Sequence, residues 1–187
     1  MELETLITAL LIILFTLAGG KTTLDITQTQ DQSQKLNQTV QVTSVADGDT
    51  VDIQLSGGEE TVRILGIDTP EKYGENNPEE FGLEDTEKNN RCLKNTAEKA
   101  SQLVKDKIEN KEVRVIQDPL SDKRGGYGRL LAYIEYNQTD IGQELLQKGY
   151  ARVYESEFQK INTYLEIENR VMENQVGIWN ESCGAIS

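Results

Sequence analysis

The stretch VRILGIDTPE at residues 62–71 constrains the fold more than any other part of the sequence. Its apolar and β-branched residues are typical of a buried β-strand. Pro70 cannot donate a backbone hydrogen bond, so the strand must end before it. The strand therefore brings Asp68, Thr69 and Glu71 to its carboxyl end, with Arg63 near its start.

Arg63 and Asp68 have opposite parity along this strand, and side chains of opposite parity point to opposite faces. An undistorted strand would therefore keep the guanidinium and the carboxylate apart. Gly66 lies between them and is suited to a bend or bulge. We expect the strand to bend at Gly66 if Arg63 and Asp68 act together.

The remaining sequence alternates strand and helix patterns. Strands are predicted at residues 40–45, 50–55, 59–67, 111–117 and 129–136, and helices at 91–107, 141–148 and 158–174. Most strands come first, which favours an α+β domain with a small, closed or half-closed sheet. The polar stretch at residues 72–87 has no periodicity, and a loop of this length is often functional.

The N-terminal region divides into two parts. Residues 1–20 contain the apolar run 6–20, which predicts a signal peptide cleaved near Lys21 or an uncleaved membrane anchor. The acidic Glu2 and Glu4 fit a signal poorly, so a misread internal segment stays possible. Residues 21–40 read as a polar disordered linker and residues 41–187 as the folded domain.

Charge and composition limit the residue types that this chain could use for catalysis. The sequence has 32 Asp and Glu against 19 Lys and Arg, a net charge of -13, which argues against a polyanionic partner at long range. It contains no histidine, which excludes histidine-based general-base and zinc chemistry. Catalysis must therefore use carboxylates, Arg, Lys, Tyr or a hard metal ion.

Polar residues at strand ends supply carboxylates and arginines that could serve in this way. Asp49 ends the apolar face of residues 51–55, where an unpaired carboxylate would be costly. Arg129 directly precedes the apolar run at residues 130–134. Read singly, these positions and Glu71 fit ordinary turns. Together, carboxylates suited to a hard cation and guanidinium groups suited to phosphate predict phosphoryl chemistry.

Three motifs in order, DGDTV at 47–51, RILGIDTPE at 63–71 and YGRLLAYI at 127–134, resemble the staphylococcal nuclease (thermonuclease) family. The resemblance covers residues 41–179. It implies a five-stranded OB-fold β-barrel with about three helices, and Ca2+-dependent cleavage of DNA and RNA. It also implies three Ca2+ ligands, namely the carboxylates of Asp49 and Asp68 and the backbone carbonyl of Thr69. It further implies Glu71 as general base, with Arg63 and Arg129 binding the phosphate and stabilising the transition state.

The substrate-binding positions match this family less closely. The segment 121–129 is about two residues longer than the family's loop, and the loop at 72–87 is acidic rather than basic. The candidates for substrate contact are Tyr127, Lys123, Arg124, Arg152 and Tyr154.

The sequence thus predicts an exported, monomeric, Ca2+-dependent nuclease, secreted or tethered to the outer face of a membrane through residues 6–20. The alternative is a catalytically inactive nucleic-acid or protein-binding module of the same fold. Two buried thiols would also fit the sequence, but export predicts a disulfide between Cys92 and Cys183, because exported proteins meet oxidising conditions.

Overall fold

The computed structural model describes residues 36–183. The predicted signal or anchor and nearly all of the predicted linker lie outside these residues. The strands are β1 (Asn37–Asp47), β2 (Thr50–Leu55), β3 (Gly58–Ile64), β4 (Ile67–Asp68), β5 (Glu112–Ile116), β6 (Leu130–Tyr136), β7 (Thr139–Asp140) and β8 (Arg152–Val153). The α-helices are α1 (Glu87–Ile108), α2 (Ile141–Gln147) and α3 (Ile161–Glu173), with 3-10 turns at Pro78–Phe81, Gly177–Trp179 and Glu181–Cys183.

Five strands form a closed barrel. Their order is β3-β2-β1-β5-β6, and a parallel pairing of β3 with β6 closes the sheet. β7 extends β6 by a hairpin, while β4 and β8 form a separate antiparallel pair beside the barrel. The five-stranded OB-fold with three α-helices that the sequence predicts is therefore confirmed.

The core explains why these segments became strands and helices. Val51, Ile53, Val62 and Ile64 alternate along β2 and β3, and all four are fully buried. One face of α1 packs against the barrel through small and branched residues, Leu93, Ala97, Ala100 and Val104. Because Ala97 and Ala100 are small, α1 can lie close to the turn between β1 and β2.

Some boundaries differ from the sequence-based expectation. β1 starts at Asn37, before the predicted domain start at residue 41, because residues 37–41 pair with β5. α1 starts at Glu87 rather than at residue 91, since the Thr86 side chain caps it by accepting from the Asn89 N–H. α3 starts three residues after the predicted residue 158, because Phe158 packs in the core ahead of the helix.

Two further features of residues 36–183 are a disulfide at α1 and the character of the helices. Cys92 of α1 forms a disulfide with Cys183, as the sequence predicts, and ties the helix to the end of the described chain. Within residues 36–183 there is no helix that combines the length and the apolar character needed to span a bilayer.

Candidate active site

The turn between β1 and β2 places the Asp49 carboxylate inside the protein. Only 2% of Asp49 is exposed. Its Oδ2 accepts from the Thr69 N–H at 2.9 Å and the Thr69 hydroxyl at 3.0 Å, and its Oδ1 accepts from the Thr50 hydroxyl at 2.9 Å. A Cβ on Gly48 would lie 2.7 Å from the Ala100 Cβ, so the turn packs directly against α1. The carboxylate is therefore held by three hydrogen bonds, as burial requires.

The expected bend at Gly66 is present. Gly66 has a φ of +80° and separates β3 from β4. A Cβ there would lie 2.5 Å from the Phe158 ring, so both backbone and packing require glycine. The bend allows the Arg63 guanidinium to contact Asp49 through one terminal nitrogen and Asp68 through the other.

Electrostatics keep Arg63 charged. Burial lowers the pKa of Arg63, but the neighbouring carboxylates of Asp49 and Asp68 outweigh this effect and leave its pKa above the ordinary value. Burial likewise raises the pKa of Asp49, against the opposing effects of Arg63 and the hydrogen bonds from Thr69 and Thr50. The charges of the two carboxylates and of the guanidinium thus stabilise one another at the strand ends.

Arg152, one of the predicted substrate contacts, forms ion pairs with two carboxylates. Its Nε and one terminal nitrogen contact the Asp68 Oδ2 at 3.0 and 2.9 Å, and that terminal nitrogen reaches Glu80 at 3.3 Å. The guanidinium also lies 5.4 Å from the Phe81 ring centroid. Arg152 therefore links Asp68 to the loop at 72–87, and its charge is already shared between two carboxylates.

Glu71 lies at the edge of the site, where hydrogen bonds anchor its backbone and its side chain is exposed. Its N–H donates to the Asn76 Oδ1 at 2.7 Å, and the next N–H, of Lys72, donates to the Asp47 Oδ2 at 3.2 Å. Partial burial raises the pKa of Glu71, and the negative charges of Asp47, Asp49 and Asp68 raise it further, while Arg63 opposes them. A carboxylate in this environment is a stronger base than a free one.

Arg129 enters the site from the start of β6. One terminal nitrogen lies 3.4 Å from the Thr50 hydroxyl, and the guanidinium carbon lies 5.5 Å from the Tyr127 ring centroid. Its Nε is buried and has no hydrogen-bond partner among the described residues. An unpaired buried N–H is costly, so this donor is suited to an anionic ligand.

The other predicted substrate contacts are spread along the segment before β6 and beyond β8. Tyr127 is 90% exposed beside Arg129. Arg124 pairs with Glu60 at 2.9 Å and donates to the Gly128 carbonyl. The Lys123 carbonyl accepts from the Leu131 N–H, which fixes its backbone. Tyr154 is half exposed beside Gly66, whose carbonyl accepts its N–H at 3.0 Å.

Two residues near the site were not singled out as functional by the sequence. Asp47 fits an ordinary turn, yet its carboxylate also accepts from the Ser101 hydroxyl of α1 at 3.0 Å. Lys94 of α1 donates to the carbonyls of Lys72 and Gly74, and so holds the segment that follows Glu71. The DGD spacing could have drawn attention to Asp47, but nothing in the local sequence marks Lys94.

The chemistry of the donor set fits a hard cation such as Ca2+. Asp49 and Asp68 offer only oxygen, and both flank one guanidinium, so their carboxylates converge. Across residues 36–183, no three Asp, Glu or Cys side chains converge on one metal position. A cation here would therefore rely on two carboxylates supplemented by a backbone carbonyl such as that of Thr69, by water or by substrate oxygen.

Comparisons with known proteins show the family to which the chain belongs. The model of the family described as staphylococcal nuclease homologue matches residues 61–181. The protein MJ1439 of Methanocaldococcus jannaschii is 39% identical over 151 residues, covering 75% of this chain and 71% of that protein. Endonuclease YncB of Bacillus subtilis is 30% identical, covering 81% and 66%, and the thermonuclease of Staphylococcus hyicus is 27% identical, covering 76% of each. The chain therefore belongs to the staphylococcal nuclease family.

Proposed function

We propose that this protein is an exported endonuclease that hydrolyses phosphodiester bonds of DNA and/or RNA in a Ca2+-dependent reaction. Relatives named thermonuclease and endonuclease support nuclease activity at the level of the family. The finer statement, with its cation and residue roles, rests on the arrangement of Asp49, Asp68, Glu71, Arg63 and Arg129.

The observation that carries this proposal is the contrast between the two arginines. Arg63 is neutralised by Asp49 and Asp68, whereas the buried Nε of Arg129 has no partner in the described part of the chain. A phosphate oxygen would satisfy this donor, and a guanidinium is well matched to phosphate. Arg129 would therefore bind the reacting phosphate and stabilise the negative charge that builds up on it.

Asp49, Asp68 and the Thr69 carbonyl would hold the Ca2+. The bound ion would draw electron density from the phosphate oxygens and partly neutralise the carboxylates. Arg63, placed between the two carboxylates, would orient both of these proposed Ca2+ ligands. The hydroxyl and N–H of Thr69 keep Asp49 in one orientation.

Glu71 would act as the general base. Its carboxylate takes a proton from the attacking water, and the water oxygen forms a bond to phosphorus. The bond between phosphorus and the leaving sugar oxygen breaks, and its electron pair stays on that oxygen, which takes up a proton from solvent. The hydrogen bonds from the Glu71 N–H to Asn76 and from the Lys72 N–H to Asp47 anchor the backbone that carries this carboxylate.

A cleavage assay tests this function. The purified protein is incubated with single-stranded DNA, duplex DNA and RNA, first with added Ca2+ and then with a chelator. We expect cleavage that the chelator abolishes and that renewed Ca2+ restores. Binding without cleavage under all conditions would support the inactive binding module instead. Cleavage that persists in chelator would contradict the role of the cation.

Export is part of the same proposal. The apolar run at residues 6–20 and the Cys92–Cys183 disulfide support it, because disulfides persist mainly outside reducing compartments. Cell fractionation followed by N-terminal sequencing distinguishes a secreted protein from a membrane-anchored one. A secreted protein starting near Lys21 indicates a cleaved signal, and a full-length membrane-bound protein indicates an anchor.

A further inference from the structure

A cleft of about 330 Å³ lies on α1, on the side of the helix that carries the disulfide. Its lining includes three cations, Lys88, Arg91 and Lys99, and the amide side chains of Asn95 and Asn180, but no carboxylate. We call it the basic cleft. In a chain with a net charge of -13, a cleft whose charged lining residues are all cations is a local exception.

The cations of the basic cleft form one row together with Asn95. Positions 88, 91, 95 and 99 are spaced by three or four residues, which places them on one face of a helix. At a rise of about 1.5 Å per residue, the row from Lys88 to Lys99 is about 16 Å long. The Cys92–Cys183 disulfide and a hydrogen bond of 3.0 Å from the Lys88 Nζ to the Glu181 carbonyl fix the opposite wall.

Helix stability alone does not account for these cations. Helix N-termini favour acidic residues, yet Lys88 and Arg91 lie in the first two turns of α1. The ion pair of Arg91 with Glu87 is exposed and 3.5 Å long, a kind of pair that contributes little. Lys99 forms no ion pair with any residue that the structure describes. A row of cations in this setting is better explained by an anionic ligand.

The basic cleft is connected to the candidate active site. Arg91 also lines a second cleft, together with Lys94 and Asn76. Asn76 holds the Glu71 N–H, and Lys94 holds the carbonyls of Lys72 and Gly74. The second cleft also carries three carboxylates, Glu75, Asp85 and Glu87. A strand that leaves Glu71 along α1 would therefore pass a mixed region first and reach the cations afterwards.

We propose that the basic cleft binds backbone phosphates of the nucleic-acid strand several nucleotides away from the phosphodiester that is cut. This inference rests on the proposed nuclease function and adds a second contact site to it. In a stacked strand successive phosphates rise by about 3.4 Å, so a row of about 16 Å spans about five nucleotides. Short substrates would not reach this site, whereas long ones would.

The test compares two double variants with the same change in charge. Arg91→Gln/Lys99→Gln removes two cations of the basic cleft. Arg170→Gln/Lys105→Gln removes two exposed cations elsewhere and serves as the control. Circular dichroism and thermal unfolding check that both fold. For each variant, kcat/KM is measured on a dinucleotide substrate and on a single strand of about 20 nucleotides, over a range of salt concentrations.

We expect kcat/KM on the long strand to fall about tenfold in the cleft variant and its salt dependence to weaken. Each lost phosphate contact should reduce the slope of log(kcat/KM) against log[salt] by about 1. The dinucleotide should be cut at the same rate by both variants and the wild type. Equal behaviour of the cleft and control variants on the long strand would overturn the inference and leave the nuclease function intact.

Binding measurements separate the two proposals. Fluorescence anisotropy of a labelled 20-nucleotide strand is measured in chelator with the same variants. If the wild type binds but never cuts, and only the cleft variant loses affinity, the basic cleft is supported while the nuclease function fails. If neither binding nor cutting is seen, both proposals fail.

Discussion

Replacement of Glu71 by Gln distinguishes a catalytic role of this side chain from a structural one. The backbone around Glu71 is held by the Asn76 side chain and by Asp47, and neither contact uses the Glu71 carboxylate. The side chain itself is exposed. Glutamine keeps its shape and removes only the charge and the ability to accept a proton.

The structure sets opposite expectations for stability and for rate. The environment of Glu71 raises its pKa and so disfavours its charge, and loss of that charge should not lower the free energy of unfolding by more than about 0.5 kcal/mol. The turnover number should fall by about 10²-fold or more, because a positioned base contributes about 10²- to 10⁴-fold. Ca2+ affinity should change little, since Asp49 and Asp68 remain.

The assay measures kcat at saturating Ca2+, with urea unfolding of the same preparations. Glu79→Gln, an exposed carboxylate in the same loop, gives the matched control for charge, and its kcat should equal that of the wild type. A folded Glu71→Gln protein that keeps a kcat within about threefold of the wild type would refute the assignment of Glu71 as general base.

Three further substitutions probe other parts of the structure. Arg129→Ala should lower kcat by at least about 10²-fold in a single-turnover assay, because it removes the donor with the unpaired Nε, and an undiminished rate would contradict its role. Lys94→Met frees the carbonyls of Lys72 and Gly74, and should lower kcat and speed proteolysis within residues 72–87, whereas Lys105→Met on the same helix should do neither. Asp118→Asn should cost about 2 kcal/mol in urea unfolding at pH 7. Burial raises the pKa of Asp118, but hydrogen bonds from the Tyr133 hydroxyl and from backbone N–H groups outweigh it and hold this pKa below its ordinary value of 3.8. The loss of stability should therefore be present above about pH 4 and shrink at lower pH. A loss that is independent of pH would contradict the assignment.

The sequence predicts the barrel well because the relevant information is local. β2 and β3 show the apolar pattern of strands that face a core, and DGDTV marks the turn region ahead of β2. The opposite parity of Arg63 and Asp68 is also a local property, and it led to the correct expectation of a bend at Gly66. These features need no knowledge of the rest of the chain.

Helix and strand ends were harder to predict, because they depend on distant partners. β1 extends back to Asn37 only because β5, more than 70 residues later, pairs with it. The loop at 72–87 appears aperiodic in the sequence, yet Phe81 and Leu83 are buried and anchor its 3-10 turn. Two apolar residues in a polar stretch are too few to show a period.

The same distinction applies to the candidate site. The motifs identify Asp49, Asp68, Glu71, Arg63 and Arg129 by type and order, but not which charges pair. The contact of Arg152 with Asp68 joins residues 84 positions apart, and it pairs a predicted substrate contact with a proposed Ca2+ ligand. Likewise Arg124, expected at the substrate, is engaged with Glu60.

The acidic composition and a polyanionic substrate are compatible, because the two effects act over different distances. At physiological ionic strength, charges in solvent are screened beyond about 8 Å, so the net charge of -13 affects the approach of a nucleic acid mainly at low salt. Binding depends on closer contacts, and there the arrangement differs from the average of the chain. Arg129 offers an unpaired donor at the proposed reacting position, and the basic cleft presents three cations with no carboxylate in its lining. A few cations at these positions can therefore hold a strand that the rest of the surface does not attract.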